Sequence, residues 1–303
     1  MIVEIMSCSI YPITPAFAAE VGDVDLQKPI SKTVFSKIEN AFNKYSVLIF
    51  PGQDISENQQ LRFSKKFGSL ETTIQKFRKG VNLRLGSKFA DVSNLDSNNN
   101  LLTENSERRL FNSGNRLWHT DSSFRRIPAK CSLLQASSIP PVGGQTEFAD
   151  LRAAYDALPK RMKFELEGLV AEHSILVSRS KIGYNQFTDD EVANLPSAPQ
   201  VLVRTHQGSG RRTLYLASHA GHILGMQNKE GKDLIAKLIK HATKRQFVYS
   251  HRWRAQDLVI WDNRSTMHRG LAFDDLRYKR NMRRTTIRDT APTCVQENIK
   301  LNN

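Results

Sequence analysis

Trp118-His119-Thr120-Asp121-Ser122-Ser123-Phe124, together with Leu258-Val259-Ile260-Trp261-Asp262-Asn263-Arg264-Ser265-Thr266-Met267-His268 further along the chain, decides the reading of this sequence. On a strand, residues i and i+2 point to one face, so His119 and Asp121 can share one metal ion. A third ligand has to come from elsewhere, and His268 is the leading candidate. Leu258 to Trp261 is an apolar run that reads as a strand, and the polar residues after it turn the chain and bring His268 round. Two histidines and one carboxylate on one face leave three positions of an octahedral ion open, the arrangement of non-haem Fe(II) oxygenases. A histidine taken alone is more often a hydrogen-bonded structural residue. The neighbours of His119 count against that reading here.

Working outward from Trp118, the pattern is one of short strands and turns. Ser132 to Ser138 is strand-like, Pro140-Pro141-Val142-Gly143-Gly144 is a turn, and Gln145 to Phe148 is a second strand. Asp150 is placed to cap a helix to about Leu158, and another follows Pro159. Glu230 to Lys244 has helical periodicity, while Gln246 to Trp253 and Met282 to Arg288 read as strands. Upstream, Ser31 to Ser46 repeats its apolar residues at three- and four-residue steps, with Ser31 as N-cap. The run Val47-Leu48-Ile49-Phe50 is a buried strand, and Ser56-Glu57-Asn58-Gln59 is a capping box that opens a helix ending at Gly68. Residues 70–116 have poor periodicity and read as mobile loops. The basic residues Lys76, Arg78, Lys79 and Lys88 on them could recruit an anionic substrate, or could form an ordinary solvated loop. Sheet at the centre with helices at the start and in insertions is not the strand–helix alternation of a doubly wound fold. The Gly208–Gly210 pair lacks a third glycine at the spacing of a phosphate loop.

With 303 residues, 39% hydrophobic and 24% charged, the chain can bury a large core without staples. This excludes disordered, collagen-like and disulfide-scaffold classes. No run of roughly 18 apolar residues could cross a membrane, and the opening residues lack the pattern of a secretory signal. Cys8, Cys131 and Cys294 are odd in number and far apart, as expected of free thiols in a reducing cytoplasm; a catalytic Cys–His pair has no local support. The net charge is +14, and the stretch from Lys240 to Arg288 holds thirteen Lys/Arg against four Asp/Glu. A basic surface can bind nucleic acid, attract small anions or aid solubility.

Four segments in the right order carry a family resemblance: Leu117 to Phe124, Gly143-Gly144-Gln145-Thr146, Val259 to His268 and Lys279 to Ile287. They resemble the taurine dioxygenase family of Fe(II)- and 2-oxoglutarate-dependent dioxygenases. The stretch from Trp118 through Asp150 looks most like the aryloxyalkanoate (2,4-dichlorophenoxyacetate) dioxygenase branch. Similarity runs from Glu20-Val21-Gly22-Asp23 to Arg288. The resemblance implies a single domain over residues 1–303: a double-stranded β-helix, or jelly roll, over 117–290, preceded by helices, a strand and active-site loops over 1–116. It implies Fe(II) held by His119, Asp121 and His268, and a 2-oxoglutarate whose far carboxylate meets Arg280 and Thr146. A buried carboxylate needs a cation and a hydroxyl donor, and arginine offers a bidentate fork. Arg284 matches the position that contacts the substrate's anionic group, and Asn115 a substrate-pocket position, with Lys88 a further candidate. If Lys279 to Ile287 is a strand, Arg280, Met282 and Arg284 share one face and Arg283 points away; the bland alternative for these arginines is a solvated basic rim.

Related halogenases lack the carboxylate ligand, so the presence of Asp121 implies oxygen transfer. Attack with O2 on a carbon beside an ether oxygen would give a hemiacetal that collapses to a phenol and an oxo acid, with succinate and CO2 released. The expected partner is a small carboxylate or sulfonate, with no nucleic acid and no membrane, in a cytoplasmic homo-oligomer. A sulfonate dioxygenase or a natural-product hydroxylase is the alternative within the same chemistry. A nucleic-acid-binding protein is permitted by charge but shows no recognition motif. An inactive jelly-roll sensor would not need all five of His119, Asp121, His268, Thr146 and Arg280. His219-Ala220-Gly221-His222 has a zinc-like spacing without a Cys or acidic partner, so packing is the expected role. His173, His206, His241 and His251 default to structure or surface, and Trp118 to pocket or core.

Overall fold

The computed structural model describes residues 8–74 and 83–301; Lys76, Arg78, Lys79 and the first seven residues lie outside the described residues. The organising element is a seven-stranded sheet. Its strands in spatial order are Ser9–Pro12, Ala19–Gly22, Val47–Phe50, Leu258–Asp262, Ala129–Ser138, Asn281–Arg288 and Ala90–Asp91. All neighbours pair antiparallel except Ala19–Gly22 with Val47–Phe50. A three-stranded antiparallel sheet, Val248–His251, Thr146–Asp150 and Thr266–Gly270, faces it.

The two-residue repeat of side chains assigns the two faces of the large sheet. Val47, Ile49, Leu134, Ala136, Val259, Trp261 and Met282 point inward and share one core with Phe148 of the small sheet. The alternate residues Leu48, Phe50, Leu133, Leu258, Ile260 and Ile287 point outward. They are covered by Val34, Ile38 and Phe42 of the helix Lys32–Tyr45 and by Phe63 of the helix Glu57–Ser64. Two sheets enclosing one core, wrapped by helices, form the expected double-stranded β-helix. The outer face of the small sheet, through Ala149 and Met267, packs on Ile235 and Leu238 of the helix Asn228–Ala242.

Local chemistry fixes the element ends. The Ser31 hydroxyl accepts from the Val34 amide, a cap worth about 1 kcal/mol. Ser56 and Gln59 form the reciprocal capping box, and Asp150 accepts from the Arg152 and Ala153 amides. Three boundaries depart from expectation. Arg245–Phe247 is a tight helical turn, so the next strand begins at Val248. Residues 70–116 contain a helix, Glu107–Ser113, capped by Ser106. Its seven residues are too few to show a period in the sequence. His119 to Asp121 is not a strand either: His119 makes an isolated bridge with His268, and Asp121 begins a turn.

Candidate active site

His119 adds a single pair of backbone bonds to the free edge of the Thr266–Gly270 strand, 2.9 Å and 2.8 Å long. Between His119 and Asp121, the Thr120 hydroxyl donates to the Leu216 and Thr266 carbonyls. Thr120 is thereby held on the opposite side, and its two neighbours share a face although no strand runs through them. His268 arrives on its own strand after the turn at Asn263 and Arg264. Ligating atoms of His119, Asp121 and His268 then lie within 4.8 Å of one another, all three residues buried.

These side chains are prepared for a cation. The Nδ1–H of His119 donates to the Leu117 carbonyl at 2.7 Å, which leaves the Nε2 lone pair free. His119 Nε2 stands 3.8 Å from Asp121 Oδ1, and His268 Nε2 3.7 Å from Asp121 Oδ2. His268 is oriented by packing, its ring 4.6 Å from that of Trp261 and 6.1 Å from that of Phe148. Burial holds His119 below the usual histidine range; His268 lies well below it, from burial and from the neighbouring His119. Burial alone would raise the Asp121 carboxyl, but Arg284, His268, His119 and the Ser132 hydroxyl outweigh it and keep it low. Neutral imidazoles and an ionised carboxylate are the protonation states a divalent metal requires. Behind Asp121, the Ser132 hydroxyl donates to Oδ2 at 2.7 Å, and Asn263 Nδ2 donates to Ser132 Oγ at 2.9 Å. Trp261 Nε1 donates to Asn263 Oδ1 at 3.0 Å. The sequence reading missed Ser132 and Asn263; the polar break after Leu258 to Trp261 marked a turn but not its partner.

A cavity of about 540 Å³ opens beside His119 and His268, lined by Thr146, Arg280, Arg284 and Asn115 among others. Among the described residues no carboxylate pairs with Arg280. Burial lowers its guanidinium to about 10, still charged at neutral pH. The Thr146 hydroxyl accepts from Trp253 Nε1 at 3.0 Å, so its own proton is free to be donated. Gly143 and Gly144 adopt φ of +80° and +70° and bring the turn against this corner. A Cβ on Gly143 would stand 2.6 Å from the Ala272 carbonyl oxygen. Arg284, by contrast, bonds Asp121 Oδ1 through Nη1. A chamber of about 90 Å³ lies on that side, lined by Asp121, Arg284, Asn115, Lys88 and Glu71 among others. Lys88 is exposed at its rim, with Nζ 3.1 Å from Thr72 Oγ1. The alternation holds: Arg280 and Arg284 face the site, and Arg283 turns outward to Gln60 and the Ile55 carbonyl.

The remaining candidates resolve into structure. His219 bonds Ser178 Oγ, and His222 lies half-buried near Glu172. His173 bonds Ser123, His206 bonds Asp262, and His251 bonds Asp257; His241 bonds the Ala154 carbonyl. Among the described residues the only metal-competent group is His119, Asp121 and His268. Trp118 packs on the outer core under the Arg269 guanidinium rather than lining the cavity. Much of the basic C-terminal stretch is also internally paired, as in Arg264 with Asp262, Arg254 with Asp257 and Arg269 with Glu147. All three cysteines are free, and no described helix is long and apolar enough to cross a membrane.

A jelly roll whose two sheets close on two histidines and a carboxylate, next to a half-buried arginine without a carboxylate partner, defines a mononuclear non-haem iron oxygenase. Residues 9–286 match the family described as taurine catabolism dioxygenase TauD, TfdA family. The alpha-ketoglutarate-dependent 2,4-dichlorophenoxyacetate dioxygenase of Cupriavidus pinatubonensis is 42% identical over 94% of this chain and 99% of its own. The (S)-phenoxypropionate/alpha-ketoglutarate-dioxygenase of Sphingobium herbicidovorans is 33% identical over 88% of this chain and 90% of its own. Among solved structures, AAD-2 in complex with Mn(II) and N-oxalylglycine superposes with a TM-score of 0.87 at 45% identity, covering 95% of this chain and 99% of its own. The chain belongs to the TauD, TfdA family. It is accordingly a dioxygenase that uses Fe(II), 2-oxoglutarate and O2.

Proposed function

We propose that this chain is a single dioxygenase domain that hydroxylates an aryloxyalkanoate beside its ether oxygen, yielding a phenol and an oxo acid with succinate and CO2. The convergence of His119, Asp121 and His268 beside the unpaired Arg280 carries this reading. The names of the relatives at 42% and 33% identity support the substrate class. His119 and His268 offer Nε2, and Asp121 its carboxylate, to Fe(II). Iron bound there with a chelating 2-oxo acid supplies the activation of O2. Arg280 and the Thr146 hydroxyl grip the far carboxylate of 2-oxoglutarate, a charge-assisted pairing. Arg284 takes the carboxylate of the substrate, with Asn115 beside it and Lys88 at the entrance. Trp261 and Leu134 give that side of the metal pocket an apolar lining. With Asp121 present, oxygen rather than halide is transferred. The hemiacetal product then expels the phenol without needing a further protein group.

Within the basic stretch from Lys240 to Arg288, Arg280 and Arg284 serve anion binding in this reading, and nucleic acid has no part in it. Three free thiols accord with a cytoplasmic enzyme, and the reading includes a homo-oligomer by analogy with the family. The deciding experiment is anaerobic addition of Fe(II) and 2-oxoglutarate, with spectra before and after aryloxyacetates are added, followed by succinate release in air. A metal-to-ligand band perturbed by an aryloxyacetate, and succinate formed in proportion to phenol, are expected. No band, or succinate formation indifferent to every such acid, overturns the reading.

A further inference from the structure

We infer that Glu71 makes the smaller chamber selective for an acid that also carries a hydrogen-bond donor, a hydroxyl or amino group, away from its carboxylate. This rests on the dioxygenase reading above and names the substrate class more narrowly.

Glu71 is fixed from its backbone outward. Leu70 forms an isolated bridge with Ile287, and the Glu71 amide donates to the Thr286 carbonyl at 2.8 Å. The side chain therefore enters from the large sheet, and it is only 7% exposed. Its two oxygens differ. Oε2 accepts from the Ser122 hydroxyl at 2.7 Å and lies 3.7 Å from Arg125 Nε. Oε1 is buried with no hydrogen-bond partner among the described residues. Glu71 lines the chamber with Asp121, Arg284 and Phe124. A buried carboxylate oxygen left unmet is costly, and a bound N–H or O–H removes that cost.

The contrast with Arg280 gives the unmet oxygen its chemical meaning. An unpaired guanidinium asks for an anion; an unpaired carboxylate oxygen asks for a donor. Ser122 is the neighbour of Asp121, and Arg284 reaches Asp121, so the cation and the acceptor flank the same small space. A ligand that satisfies both carries a carboxylate at one end and an O–H or N–H elsewhere. A purely apolar ring substituent would leave Oε1 dry and unpaired. Burial pushes the Glu71 carboxyl up, and Arg125 and the Ser122 hydroxyl act against it.

The test uses phenoxyacetates bearing hydroxyl or amino groups at the ortho, meta or para position, each paired with the methyl analogue of similar size. Succinate release and phenol formation are measured for the wild type, Glu71→Met and Glu71→Gln. At one ring position at least, the wild type should favour the donor-bearing acid over its methyl partner by roughly tenfold in kcat/KM. Glu71→Met should reverse that preference, and Glu71→Gln, which keeps an acceptor, should retain part of it. The anaerobic 2-oxoglutarate band should be unchanged in both variants, which shows that fold and metal site are intact. If the band forms and the acids turn over but no donor is preferred, or if Glu71→Met leaves the preference untouched, the inference about Glu71 fails alone. If no band forms in the wild type, the dioxygenase reading fails with it.

Discussion

Arg280, just before the strand Asn281–Arg288, and Arg284, within it, face the same side of the large sheet, yet they meet opposite circumstances. Arg280 sits in the larger cavity, half-buried and without a carboxylate among the described residues. Arg284 is bonded to Asp121, a member of the His119, Asp121 and His268 cluster, and lines both the larger cavity and the smaller chamber. A partly desolvated cation without a partner is a preformed receptor, because the cost of its desolvation is recovered when an anion arrives. A cation already tied to a ligand of the metal is coupled to it: it helps keep Asp121 ionised and can shift toward a second anion. The lesson is one of division. In the proposed reading the site holds two anion receptors, and only one of them is tied to the His119, Asp121 and His268 cluster.

The largest effect comes from removing the group on which the comparison turns. Asp121→Ala deletes a metal ligand and strips Arg284 of its partner at once. Second-sphere changes already cost about 10–100-fold in metal affinity. Loss of the ligand itself should exceed that and take succinate formation to background, with Fe(II) affinity measured anaerobically. Retained turnover would dissolve the cluster as a metal site, and with it the distinction between the two arginines.

Next in size are the arginines themselves. Arg280→Ala should raise the KM for 2-oxoglutarate by about 10²-fold, the scale of a lost buried charge pair, with little change in the KM for the acid substrate. Arg284→Ala should do the reverse, and should weaken Fe(II) binding as well, since Asp121 loses its cation. Steady-state kinetics varying each anion in turn separates the two. Equal weakening of both anions in both variants would mean one shared receptor.

A smaller effect isolates the support behind the metal from either receptor. Asn263→Ala removes the acceptor for the Trp261 indole and the Asp121 amide, and the donor to Ser132. Metal affinity should fall by about 10-fold or somewhat more, while the KM values for both anions, measured at saturating iron, hold. An altered KM for only one anion would place Asn263 in that receptor instead.

The arginine division was legible in the sequence because a strand's alternation is local: Arg280, Met282 and Arg284 on one face and Arg283 on the other follow from numbering alone. The same holds for the caps at Ser31, Ser56 and Asp150, where donor and acceptor lie within three residues. His119 and Asp121 do share a face with His268, but Thr120 and a bridge hold them there, not a strand. What could not be read is pairing across distance. Trp253 donating to Thr146, Asn263 to Ser132 and Ser122 to Glu71 join residues with no shared motif. The Glu107–Ser113 helix was missed because its length gives too few turns for a period. Paired arginines such as Arg264 and Arg254 likewise look in sequence like a ligand-binding surplus.

The smallest expected effect probes the comparison from behind. Arg283 lies between the two receptors in sequence but faces the helix side, where Nε donates to Gln60 Oε1 at 2.9 Å and Nη2 bonds the Ile55 carbonyl. Gln60 in turn donates to the Leu133 and Arg283 carbonyls, so these groups tie the helix Glu57–Ser64 to the sheet. Arg283→Ala removes two hydrogen bonds from a group that is partly solvated, a loss of about 1–2 kcal/mol. For a chain of this size that lowers Tm by a few degrees. It should leave the KM for 2-oxoglutarate and for the acid unchanged, because no part of Arg283 lines either cavity. A KM effect on either anion at unchanged Tm would show that net positive charge along this strand, rather than the facing of individual guanidinium groups, draws the anions in; salt dependence of that effect would decide it, since long-range attraction is screened at moderate ionic strength and a buried pair is not.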